Sequence, residues 1–217
     1  MPGSASCSRS KTFRSGRFTT PWQSAETCAG TNKYAQLIWK WKDELPKKRR
    51  ALYAKYFKSR GSFLSLQLLP YFLAIEGTAV GAEACYKMGR ISHHALELWQ
   101  ALEKHGALPT LELRQASKLE TPAGNKRFKK AMLELQGLLL VTHSGAAQET
   151  EAWASNCFDL VARAFPRQVQ QAQKISPENA RTAIAARYRT LYPSTPTVQI
   201  ARLFGWTKAQ ALSALAL

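Results

Sequence analysis

Between Ser92 and Leu160 the apolar residues keep a helical period through three short segments and then switch to an alternating one. That order leaves few architectures open. Ser92 reads as the cap of a helix whose stripe is Ala95, Leu98, Trp99 and Leu102, with Gly106 past its end. Thr110 reads as the cap of a second, short helix through about Leu119, carrying Leu111, Leu113 and Ala116. Glu120 to Asn125 is a polar turn. A third helix is predicted from about Lys126 to Gln136, with Phe128, Ala131, Met132 and Leu135 at i, i+3, i+4 and i+7. Beyond Gly137 the stretch Leu138 to His143 reads as a strand, Ser144 to Glu151 as a polar loop, and Ala152 to Leu160 as the returning strand.

Three short helices followed by a hairpin is the order of a winged helix, in which the third helix enters the major groove and the hairpin touches the backbone. The third helix here opens with Lys126, Arg127, Lys129 and Lys130, where phosphate and base contacts would be made. The C-terminal part repeats the rhythm weakly. Ser176-Pro177-Glu178 starts a helix with the stripe Ala180, Ile184, Tyr188 and Leu191. Ser194-Thr195-Pro196 begins a short helix ending at Gly205, and Thr207 with Gln210 forms a capping box for the last one. The predicted fold is mainly α: tandem winged-helix or helix-turn-helix modules, a small β-hairpin wing and an N-terminal helical region.

Four segments follow from this. Residues 1–30, rich in Ser, Thr, Gly and Arg, read as a disordered basic arm, either an organelle-targeting or a nucleic-acid-binding segment. Residues 31–91 read as a basic, aromatic helical region. Within it Leu52, Tyr53, Tyr56 and Phe57 would share one side of an amphipathic helix, and Lys47, Lys48, Lys55 and Lys58 the other. Ser62 to Glu76 is apolar around Pro70, so it is a strand followed by a helix, or a broken helix. Gly77 to Gly89 reads as a connector. Residues 92–160 form the winged helix, and 161–217 a helical linker with the second helix-turn-helix.

Charge then narrows the partner. Lys and Arg number 31 against 14 Asp and Glu, a net charge of +17. Such self-repulsion calls for a polyvalent acidic partner, with nucleic acid first. Double-stranded DNA is the expected partner and RNA the alternative. No apolar run reaches the ~18 residues of a membrane span, since Phe63 to Ile75 is interrupted by Ser65, Gln67 and Pro70. No membrane role is expected, and the location is cytoplasmic or nucleoid-associated. Cys7, Cys28, Cys85 and Cys157 lack CxxC spacing, so neither a zinc site nor a disulfide framework is expected. His93 and His94 diverge on a helix, and His105 and His143 have no acid neighbour in sequence. Without a P-loop or GxGxxG, no cofactor is expected.

Four stretches carry a family likeness: Trp41-Lys42-Asp43-Glu44-Leu45-Pro46, Ser65-Leu66-Gln67-Leu68-Leu69-Pro70-Tyr71-Phe72, the block from Leu108 to Val141, and Ala201-Arg202-Leu203-Phe204-Gly205-Trp206. Together they resemble the winged-helix proteins grouped with AlkZ-type interstrand-crosslink DNA glycosylases, and more closely their AlkZ-related cousins. The resemblance implies a tandem winged-helix fold and DNA binding. The glycosylases position water and stabilise a cationic sugar with a Gln-x-Gln or Gln-x-Asp pair. Gln67 matches the first position as a catalytic candidate; Leu69, at the second, can neither accept a proton nor stabilise positive charge. The expectation is therefore a DNA-binding protein of DNA repair, using Lys126, Arg127, Lys129 and Lys130 on the groove and Lys47, Lys48, Arg49 and Arg50 as backbone anchors. A glycosylase acting on damaged or crosslinked bases, an RNA binder stacking bases on Trp39 and Trp41, and a protein-interaction module are the alternatives.

Overall fold

A computed structural model describes residues 33–77, 81–148 and 154–216; the predicted arm, 1–30, lies outside them. The chain divides into two units between Trp39 and Lys40. The first contributes the opening turns of helix α1 (Lys33–Lys47). The second begins with the rest of α1 and continues through β1 (Ala51–Ala54), a 3-10 turn (Phe57–Ser59), β2 (Ser62–Ser65), α2 (Leu69–Glu76) and α3 (Gly81–Lys87). Next come α4 (His93–His105), β3 (Leu108–Pro109), α5 (Thr110–Ala116), α6 (Pro122–Gly137), β4 (Val141–Gln148) and β5 (Ala154–Leu160). It closes with α7 (Val161–Ala164), α8 (Pro166–Ala172), α9 (Pro177–Leu191), α10 (Thr197–Phe204) and α11 (Lys208–Leu215). The fold is mainly α with two small antiparallel sheets, β1-β2 and β3-β5-β4.

Two hydrophobic clusters share the second unit. In one, α3, α4, α5 and α6 bury Cys85, Leu98, Leu102, Leu113, Phe128, Met132 and Leu135 against the start of β4 and the end of β5. In the other, β1, β2 and α2 pack with α7 to α11 through Leu52, Leu69, Phe72, Phe165, Ile184 and Ile200. Where they adjoin, Leu139 and Val161 serve the second cluster while Leu140, Val141 and Leu160 serve the first. Burial of this kind supplies most of the driving force, about 25 cal/mol per Å2 of apolar surface.

The predicted helix through residues 52–57 is a correction. α1 stops at Lys47, one residue after Pro46. Arg49 takes a left-handed backbone (φ 52) and Arg50 N–H returns to the Leu45 carbonyl. The chain then enters β1, where Leu52 faces Leu64 and Tyr53 faces Phe63 across an antiparallel pair. The Tyr53 and Phe63 rings lie 4.8 Å apart. Cross-strand pairing of β-prone residues overrides the helical wheel here. Two further corrections are smaller. Gly77–Gly89 is not only a connector, because Gly81–Lys87 is helical and buries Ala82 and Cys85. Thr110 is the first helical residue rather than the cap, and its hydroxyl donates to the Asn156 carbonyl, while Leu111 is exposed.

Other expectations hold in detail. Ser92 and Ser176 each accept a hydrogen bond from the backbone three residues on, and the Thr207–Gln210 capping box is complete. β2 followed by α2 resolves the Ser62–Glu76 ambiguity, with Pro70 in the first turn where its missing N–H costs nothing. α10 ends at Gly205 in a left-handed C-cap (φ 71). The helix, helix, helix, hairpin order also appears as read, although β4 extends to Gln148 with a bulge between His143 and Gly145.

Candidate nucleic-acid interface

Helix α6 starts four residues before its predicted first turn. Thr121 caps it by accepting from Gly124 N–H at 3.0 Å, and Pro122 follows. Gly124 lets the helix start close against the preceding turn, since a Cβ there would lie 2.7 Å from the Leu119 carbonyl oxygen. The Arg114 guanidinium secures the preceding turn by donating to the carbonyls of Leu119 and Glu120, and it lies 6.0 Å from the Phe128 ring centre. Phe128, Ala131, Met132 and Leu135 are buried as their spacing predicts. Lys126, Arg127, Lys129 and Lys130 are therefore turned outward, and all four are exposed. They occupy the middle of the helix rather than its opening.

Lys47, Lys48, Arg49 and Arg50 are likewise exposed, at the turn between α1 and β1. Lys48 pairs with Glu44 at 3.4 Å. The Lys47 stem runs past the β4 bulge, where a Cβ on Gly145 would lie 3.3 Å from Lys47 Cβ. Gln67 occupies the turn between β2 and α2 with its side chain exposed. Leu69, two residues on, is fully buried in the core. The two positions face opposite environments, so nothing but Gln67 is presented there from the Gln-x-x pattern.

A polar junction that the sequence did not reveal ties α1 to the hairpin. His143, on β4, is buried, and its Nε2–H donates to Asp43 Oδ1 at 2.8 Å; a carboxylate only accepts, which fixes the tautomer. Lys42 Nζ reaches Asp43 Oδ1 at 2.7 Å and Asn156 Oδ1, on β5, at 2.8 Å. Burial opposes the imidazolium more than the Asp43 carboxylate supports it, so His143 titrates below its ordinary value. Burial also opposes ionisation of Asp43, but hydrogen bonds from Lys42 and His143 outweigh it and hold the carboxyl low. A second cluster joins Tyr56, whose hydroxyl donates to Glu76 Oε1 at 2.7 Å, to Arg90, which donates to the Glu76 carbonyl at 2.6 Å. Burial raises the Glu76 carboxyl despite both partners.

The chain's other aspartate, Asp159, accepts from Arg163 at 2.8 Å, and Arg163 also donates to the Leu102 and Glu103 carbonyls that end α4. Both aspartates thus serve the fold. Sequence separations of 100 and 114 residues hid the His143–Asp43 and Lys42–Asn156 pairs. Among the described residues no three His, Cys, Asp or Glu side chains gather as a metal site, and no helix is long and apolar enough to cross a membrane.

Comparison with known proteins agrees with the motif likeness. A family model described as "AlkZ related" matches residues 22–205. No curated protein and no solved structure matches the chain significantly.

Proposed function

This chain belongs to the AlkZ-related family, and on that premise we propose that it is a DNA-binding protein of DNA repair that docks α6 on a duplex in winged-helix fashion. One observation carries the reading: α6 is anchored on its apolar side by Phe128, Ala131, Met132 and Leu135 and presents Lys126, Arg127, Lys129 and Lys130 to solvent. A rigid cationic helix beside a two-stranded hairpin fits a major groove with flanking phosphates. Lys47, Lys48, Arg49 and Arg50 add backbone anchoring near the hairpin. A cytoplasmic or nucleoid-associated location belongs to the same proposal.

A second reading, base release from damaged duplex, is favoured by the exposure of Gln67, which leaves its amide accessible to a substrate. Against it stands Leu69, buried where the glycosylase pattern has a second polar residue. A panel of lesion-containing duplexes run beside a titration of undamaged duplex separates the two. Tight binding without base release supports the binder; release that disappears in Gln67→Ala supports the glycosylase. Preference for single-stranded RNA over duplex in direct competition would overturn both.

A further inference from the structure

A third basic cluster follows the one at the α1–β1 turn in sequence. Between Glu44 and Glu76 the chain has no acidic residue, yet it holds Lys47, Lys48, Arg49, Arg50, Lys55, Lys58 and Arg60. The structure shows where this acid-free segment runs. Lys47 lies against the β4 bulge at Gly145. The Tyr53 carbonyl accepts from the Thr142 hydroxyl at 3.2 Å. Lys55 N–H donates to Gln136 Oε1, at the end of α6, at 3.0 Å. The Phe57–Ser59 turn then packs against α6 itself. The segment thus follows the hairpin and then the helix.

It meets α6 on the side of Gln136. Lys129 lies seven residues before Gln136, close to two helical turns, so both project from the same side of α6. Lys126 is next around the helix. Glu134 points to another side, where its Oε2 accepts from Ser92 N–H at 2.8 Å. Glu44, at the far end, is paired with Lys40 and Lys48.

The loop is also held in shape. Tyr56 and Phe57 pack edge to face with Phe72, and Phe57 with Phe204. Lys58 and Ser59 are both in the left-handed region (φ 51 and 58), a costly backbone for consecutive side-chain-bearing residues. The outcome is that Lys55, Lys58 and Arg60 all face solvent from a fixed frame. With the backbone already held, binding orders only the side chains.

We propose that residues 47–60 and the adjoining flank of α6 form one cationic track for the phosphate backbone of a nucleic-acid duplex, with Lys55, Lys58 and Arg60 as contacts beside Lys126 and Lys129. This rests on the duplex-binding reading above. It adds the loop that grips the strand bordering the groove α6 enters.

The test is a salt titration of full-length protein on an undamaged duplex. Three proteins are compared: wild type, Lys55→Gln/Lys58→Asn/Arg60→Gln, and a control, Lys87→Gln/Lys104→Gln/Lys174→Gln, with the same loss of charge on other elements. Asn tolerates the left-handed backbone at position 58, and thermal unfolding verifies the fold. The track variant is expected to flatten the slope of log K against log salt by about 2 to 3, near 0.9 per lost phosphate contact, and the control by less than about 1. If the triple variant fails to fold, Lys58→Asn and Arg60→Gln singly should each flatten it by about 1. Equal slopes for track and control variants, with binding lost on Lys126→Gln/Lys130→Gln, would overturn the track while leaving the α6 reading intact. A wild type that ignores duplex would overturn both.

Discussion

At the scale of single residues a buried imidazole, hydrogen-bonded to Asp43, helps tie the hairpin to α1. Removing the Asp43 carboxylate leaves the His143 Nε2–H without an acceptor, so Asp43→Ala should destabilise the fold by about 1–3 kcal/mol, and Asp43→Asn, which keeps an acceptor, by less. Urea unfolding measures both. The pH dependence has a definite sign. The folded His143 titrates below 6.5, its ordinary value, so below that pH the unfolded chain binds the extra proton first. Stability therefore falls as pH drops from about 6.5 toward the folded pKa. Asp43, depressed from 3.8, adds a further loss in stronger acid. His143→Gln, which retains a donor for Asp43, should flatten the fall in melting temperature between pH 7 and 5. Glu76 runs the other way: raised from 4.5, it costs stability as pH rises, and Glu76→Gln should remove that cost.

At the scale of elements α6 depends on how it begins. Gly124 has Leu119 backbone where a Cβ would go, so Gly124→Ala must displace the turn from the helix and should cost about 1–3 kcal/mol. Thr121→Ala, which removes the cap, should cost about 1 kcal/mol. Both are read by denaturant unfolding. Elements were legible where local chemistry decides them. Ser92, Ser176 and Thr207 marked helix starts because capping is a contact between near neighbours. Phe128 to Leu135 gave its buried face because one helix sets that spacing. What stayed hidden was decided at a distance. Residues 51–54 became a strand because 62–65 lies beside them, and no helical wheel contains that partner. The start of α6 was missed because Pro122 and Gly124 read as turn residues, when they serve as the first turn of a capped helix.

At the scale of the whole molecule, the Lys and Arg side chains of the described residues lie largely on surfaces that packing leaves exposed. The cations of α6 were visible in the sequence as a cluster. The approach of the Lys55–Arg60 loop to α6 was not, because it depends on a long-range hydrogen bond from Lys55 to Gln136 and on the turn that follows. If six to eight phosphates are neutralised together, duplex affinity should fall with salt at a slope of about −5 to −7. The most direct test is the duplex affinity of Lys126→Glu/Lys130→Glu, measured by fluorescence anisotropy at low salt beside the wild type with matched thermal stability. The account predicts at least about tenfold weaker binding and a salt slope shallower by about 2. A variant that binds duplex as tightly as the wild type, with the same slope, would contradict it.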